Sequence, residues 1–191
     1  MLRSIRPAIV MVALFTLLLG LAYPLAVTGV AQAVFPDQAN GSLIRNADGQ
    51  VIGSALIGQP FAGAAYLHPR PSAAGDGYDA AGSSGSNLGP LNADLAARVA
   101  EEARNIRAED GPGAIAADAV TASASGLDPD ISPAYARLQA ARIAAARGVP
   151  VQEVQNVIDQ HTDGALLGFI GQPHVNVLLT NRALDARVPA S

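Results

Sequence analysis

Histidine changes charge nearest neutral pH, and this chain holds three, His68, His161 and His174. None stands in a His-x-His or His-x-x-x-His pair, the spacings that bring two imidazoles to one metal. Hydrogen-bonded structural roles are therefore expected for them. Two acidic runs, Asp76-Gly77-Tyr78-Asp79 and Asp128-Pro129-Asp130, lack the alternating ligands and distal glutamate of an EF-hand. Asp128 is expected to brace its own turn. No Gly-x-Ser-x-Gly elbow presents a serine nucleophile. Ser83, Ser84 and Ser86 lie in a glycine-rich stretch that reads as an anion-binding loop or as a tight surface turn. Glu101-Glu102 is expected on a solvated helix face. There is no cysteine, hence no disulfide and no thiolate. All 12 basic residues are arginine. Without lysine there is no Walker A loop, no Ser-x-x-Lys nucleophile and no Schiff base. The motifs thus predict no catalytic residue and no metal site.

The elements that position these residues begin with an apolar stretch. Between Arg6 and Asp37 no acid or base occurs apart from Tyr23. A bilayer core of about 30 Å needs roughly 20 helical residues, and Ala8 to Val30 supplies them. A cleaved signal peptide is the rival reading, because Ala31-Gln32-Ala33 has the small residues of a cleavage site. The run nevertheless exceeds the roughly 7–15 residues of a signal core. A buried core helix, the other rival, fits poorly with a run apolar on every side. Pro24 is expected either to kink the span or to mark where it begins to loosen. Arg3 and Arg6 precede it, so the positive-inside rule places the N-terminus in the cytoplasm. The expected division is a cytoplasmic segment 1–7, a transmembrane helix 8–30 and an extracytoplasmic domain 36–191.

That domain, about 155 residues long, suits a single core. The net charge of -4 gives no support to a nucleic-acid partner. Asn46-Ala47-Asp48-Gly49 between two short runs predicts a hairpin, its second strand reaching as far as Ile57. Residues 62–91 read as a long packed loop. Asn92 caps a helix to about Ala108, with Leu95, Val99, Ala103 and Ile106 on one face. Ala119–Ser123 reads as a strand. Ser132 and Pro133 open a helix closed by Arg147-Gly148. Pro150 opens another, ended by Asp163-Gly164. A strand at His174–Leu178 and a short helix to Asp185 follow. The fold class is one N-terminal transmembrane helix plus a mixed α/β or α+β soluble domain, with a small sheet and about three helices.

Several strings carry a further signal. LIGQPF stands at 56–61, LHPRPSAAG at 67–75 and SGSNLGPLN at 84–92. VTASASGLDPDISPAYA follows at 120–136, RIAAARG at 142–148 and LGFIGQPHVNVLLTNRALD at 167–185. With the apolar N-terminus, they resemble the KdpC family, the C subunit of the Kdp potassium-transporting ATPase. Ala124 stands where the family more often has glycine, and Leu67 where it commonly has an aromatic.

The resemblance implies a bacterial inner-membrane complex. Its partners would be a potassium-conducting subunit, an ATP-hydrolysing P-type subunit, a small peptide subunit and membrane lipid. Potassium would be the transported ion and ATP would be used through the complex. Lacking lysine, this chain cannot hold the Asp-Lys-Thr-Gly-Thr phosphorylation motif. The resemblance makes it a non-catalytic accessory, described in the family as a catalytic chaperone for ATP binding. It carries a nucleotide-binding role to Gln139, in the helix after LDPDISP. The charge reading puts Gln139 outside, whereas ATP is inside. The alternative is a structural clamp, or a cap over the mouth where ions enter the potassium-conducting subunit, without nucleotide contact. Ala22 and Ala26, four apart, are candidates for packing the span against partner helices.

Overall fold

Helical hydrogen bonding runs without interruption from Leu2 to Val34, which is what an apolar chain without charged competitors favours. The computed structural model describes residues 2–188. Met1 of segment 1–7, residues 189–191 and the Arg3 side chain lie outside the described residues. The first helix, α1 (Leu2–Leu17), passes through a π-helical segment (Leu18–Ala22) into α2 (Tyr23–Val34). Ser4–Val34, 31 residues, is long and apolar enough to cross a membrane. At about 1.5 Å per residue it reaches about 46 Å. Pro24 explains the π segment. Proline has no N–H to give the carbonyl four residues back, and its ring would strike that carbonyl. Widening the turn just before it moves Gly20 out of the way, and Tyr23 N–H bonds Leu18 O instead.

The chain divides into two compact units, Met1–Ile52 and Gly53–Ser191. The first holds α1, the π segment, α2, a single turn α3 (Pro36–Ala39) and β1 (Leu43–Arg45). The division falls within β2 (Val51–Ser54), the partner of β1. The hairpin turn is built by Asn46, whose side chain accepts from Asp48 N (3.1 Å) and Gln50 N (2.9 Å). Gly49 supplies the positive φ of 80°. The second strand ends at Ser54, short of Ile57, because the chain turns back in an isolated Ser54–Ile57 bridge.

The second unit is α+β. Asn92 caps α4 (Ala93–Asp110) by accepting from Asp94 N and Leu95 N. The stretch expected as a strand at 119–123 is instead a short helix, α5 (Ala117–Val120). There Asp118 accepts from Ser132 N (2.7 Å) and Ser132 Oγ (2.8 Å), tying α5 to the next helix start. After β3 (Asp130–Ile131), the helix expected from Pro133 to Arg147 is divided at Gln139. It forms α6 (Pro133–Leu138) and α7 (Ala140–Arg147), closed by Gly148 at φ +67°. Next, α8 (Val151–Gln160) stops before Asp163, since Thr162–Asp163 forms β4. The strand expected at 174–178 is shorter, β5 (His174–Asn176). The Asn176 side chain accepts from Leu179 N and starts α9 (Val177–Arg187) there.

β5 lies between β3 and β4, antiparallel to both. Val175 is opposite Ile131 on one side and Thr162 on the other. α8 packs on α6, α7 and α9, and the sheet closes one side through β5. The core joins Ile131 and Val175 of the sheet to Ile143 of α7, Val154 and Ile158 of α8 and Leu184 of α9. Each buries roughly 1.5–3 kcal/mol of side-chain transfer free energy. Leu67, from the long loop, lies in the same core.

Candidate functional site

A loop segment buried in a core must have its backbone polar groups satisfied by something other than a sheet. Segment 63–72 meets this with side-chain amides. Asn181 of α9 accepts from Leu67 N (2.7 Å) and donates to Leu67 O (3.0 Å). One residue on, Gln139 accepts from His68 N (2.7 Å) and donates to His68 O (3.1 Å). Each amide thus offers the segment the same donor and acceptor pair as a neighbouring strand. Gln139 is fully buried.

Two arginines of α7 hold the rest. Arg142 donates from Nη2 to Gln139 Oε1 (2.7 Å) and from Nη1 to Ala64 O (2.8 Å) and Tyr66 O (3.0 Å). Its Nε bonds Asp110 at 2.8 Å, with side-chain exposures of 9% and 2%, so this ion pair is buried. Arg147 donates to Ala65 O (2.7 Å), Val188 O (2.6 Å) and Asp185 (2.9 Å). Its guanidinium also lies 5.1 Å from the Tyr66 ring centre. Guanidinium suits this task because its five N–H donors are fixed in direction and always charged.

The segment then runs along the surface of the unit. Arg70 pairs with Asp128 at 2.7 Å and donates to Thr121 O. Ser72 Oγ donates to Gly126 O (2.6 Å). Gly126 has φ +69°, and a Cβ there would lie 2.7 Å from Ala74 and 2.8 Å from Ser84 O, so only glycine fits. Tyr78 donates its hydroxyl to Arg70 O. Burial raises the Tyr78 pKa, Asp128 raises it further and Arg70 opposes.

A cleft of about 380 Å³ lies beside the segment, lined among others by Phe61, His68, Tyr78, Glu102, Glu109 and Tyr135. Glu101 is solvated as expected, but Glu102 is half-buried. Burial raises the Glu102 pKa, Glu101 and Glu109 add to this, and Arg98 opposes. A second cleft, of about 330 Å³, is lined by Asp118, Asp128, Asp130, Arg70 and His174. Among the described residues no three His, Asp or Glu side chains are grouped to hold a metal ion.

The histidines have the structural partners expected of them. The His68 ring nitrogens lie 3.1 Å from Gly63 O and 3.5 Å from Glu109. His161 meets Val157 O at 2.8 Å and His174 meets Gln172 O at 3.2 Å. Asp128 braces its turn by accepting from Asp130 N. Ser83 and Ser84 bond Ser125 O, stitching the glycine-rich loop to residues 123–126. Ala22 and Ala26 are both exposed, the first in the π segment and the second in α2. No motif marks Arg142, Arg147 or Asn181 in the sequence. Lone charges in the alanine-rich run ARIAAARG were the available signal, since a charge on an otherwise apolar helix face needs a buried partner.

One surface differs from all of these. The turn 165–171 closes with paired bonds between Leu166 and Ile170, each N–H reaching the other's carbonyl at 2.9 Å. Leu167 sits at φ +55°, rare for a branched residue. Leu166, Leu167, Phe169 and Ile170 are 67%, 76%, 77% and 50% exposed. Four large apolar side chains are thus exposed between residues 166 and 170.

The family model described as K+-transporting ATPase, c chain, matches residues 5–186. The potassium-transporting ATPase KdpC subunit of Caulobacter vibrioides strain NA1000 is 68% identical over 189 residues, covering 99% of this chain and 96% of that one. The subunit of the same name from Beijerinckia indica is 65% identical, covering 99% and 96%. That from Mycobacterium bovis BCG Pasteur is 56% identical, covering 96% and 98%. This chain belongs to the KdpC family.

Proposed function

We propose that this chain is a non-catalytic accessory subunit of an ATP-driven potassium uptake complex. It is held in the bacterial inner membrane by Ser4–Val34, with the N-terminus inside and the second unit outside. Its work is to stabilise the assembly, by docking on the outer face of the potassium-conducting subunit beside the ATP-hydrolysing and small peptide subunits. The observation that carries this is the contrast between a satisfied interior and the uncharged, exposed turn at 165–171. Such a surface is made to be covered by protein. Leu167→Ser with Phe169→Ser is expected to leave the chain folded and to abolish its co-purification with the other subunits. Undiminished co-purification sinks the reading. The direction of the anchor has its own test, because a chain without cysteine accepts a single reporter. Cysteine at exposed Ala134 is expected to react with an impermeant maleimide in intact cells. Labelling only after lysis reverses the orientation.

Support of ATP use is the finer part of the reading. Gln139 is expected to act on it through segment 63–72, because its amide is already bonded to His68 and Arg142. Asn181 holds the adjacent residue of that segment. If Gln139 acts through the segment, Asn181→Ala raises the ATP requirement of the complex as Gln139→Ala does. Direct nucleotide contact predicts that Gln139→Ala alone does so.

A further inference from the structure

The cleft beside α4 contains polar groups that the fold does not use. Tyr135 is only 4% exposed, yet its hydroxyl has no hydrogen-bond partner among the described residues. Nor is that oxygen sealed in. The one sealed, unpartnered side-chain atom among the described residues is Arg98 Nε. Tyr135 lines the cleft. Burial raises the pKa of its hydroxyl, and Glu102, which lines the cleft too, is among the charges that raise it further. On the α4 side stand Glu102, Asn105 and Glu109, offset by three, four and seven and therefore on one helix face.

The charges there do not cancel. Arg70 lines the cleft, but its guanidinium is taken by Asp128 and Thr121 O. His68 lies 3.5 Å from Glu109 and offers at most one compensating charge. Arg98, four residues earlier on α4, acts on Glu102 through its charge, but no cation stands within salt-bridge distance of Glu102 among the described residues. The groups left for a ligand are the Glu102 and Glu109 carboxylates, the second shared with His68, and the uncharged Asn105 amide and Tyr135 phenol oxygens as further hydrogen-bond acceptors. Phe61 and Tyr78 add aromatic surface, which attracts cations. A volume of about 380 Å³ sits at the small end of ligand pockets, room for a cationic head and a short stem.

We propose that this cleft binds an alkylguanidinium or alkylammonium cation, held by Glu102, Asn105, Glu109 and the Tyr135 hydroxyl. A guanidinium donates to a carboxylate through two parallel N–H groups while its face meets a ring. The site stands independently of the transport role above.

The test titrates ethylguanidinium into the full chain in detergent, with its four tyrosines carrying a 13C label. Tyr135→Phe identifies the Tyr135 signal. The expected result is a saturable shift of Tyr135 and Tyr78, with Tyr23 unmoved. Glu102→Gln is expected to weaken binding about tenfold, the loss of one charge-assisted hydrogen bond. Tyr135→Phe, followed through Tyr78, removes one hydrogen bond from the cation to an uncharged oxygen and weakens binding about fivefold. Neither change empties space in the core, so both variants fold. Equal shifts with glycerol or propionate overturn the proposal. So does unchanged affinity in both Glu102→Gln and Glu109→Gln. Repeating the titration on the assembled complex separates the two sources of such a cation. A free small cation leaves Tyr135 titratable, whereas a basic side chain of a neighbouring polypeptide excludes the probe.

Discussion

Segments 63–72 and 165–171 are both irregular loops of the second unit, yet they treat the backbone and the side chains in opposite ways. In 63–72 the side chain of Leu67 goes into the core, and distant residues supply its backbone bonds: Asn181, Gln139, Arg142 and Arg147. In 165–171 the backbone bonds are local, between Leu166 and Ile170, and the apolar side chains point away. The first loop is determined by the whole fold and can carry a signal only by moving much of it. The second is determined by itself and is free to adapt to a partner. A loop's composition therefore says less about its role than where its hydrogen bonds go.

Removing the charge that anchors the first loop tests this most strongly. Arg142→Met leaves the Asp110 carboxylate buried without its partner and frees carbonyls of residues 64 and 66. A loss of about 3–5 kcal/mol is expected, read as a fall in the urea midpoint of the full chain in detergent. Next in size, Gln139→Ala and Asn181→Ala each strand a buried N–H and a buried carbonyl. Each is expected to lose about 2–3 kcal/mol by the same measurement. The second loop should behave differently. Leu167→Ser with Phe169→Ser is expected to change the midpoint by no more than about 0.5 kcal/mol while removing subunit association. A large loss of stability there would erase the distinction between the loops. Outside both loops, Arg137→Ala breaks a pair with Asp159 whose two side chains are each 52% exposed. About 0.2–1 kcal/mol is expected, shrinking as salt is added.

The two loops also show where sequence reading succeeds. The apolar helix, the Asn46–Gly49 hairpin and the caps at Asn92 and Ser132 follow from local rules, and they stand as expected. Failures occur where a distant residue decides. Nothing near Gln139 announces a break in the helix, because its amide answers His68, 71 positions earlier. Val120 and Thr121 suggest a strand, but Asp118 is held by Ser132 and the chain turns helical. Thr162–Asp163 is a strand only because β5 lies beside it. Asn176 is a different case. It both ends β5 and caps α9, so the strand expected to run on to Leu178 stops there. As for the candidate cleft, Glu102, Asn105 and Glu109 share a face by periodicity alone. Tyr135 joins them only through the tertiary fold.

The π segment ahead of Pro24 has one more effect. A π turn contains one residue more than an α turn, and each residue advances the helix by about 100°. The side chains of α2 are thus out of phase with those of α1. A neighbouring helix that follows the stripe through Leu14 would lose it on passing Gly20 and meet a different set at Ala22 and Ala26. Deleting a single residue at Leu19 would bring the side chains of the two helices back into one phase while driving the proline ring against a carbonyl.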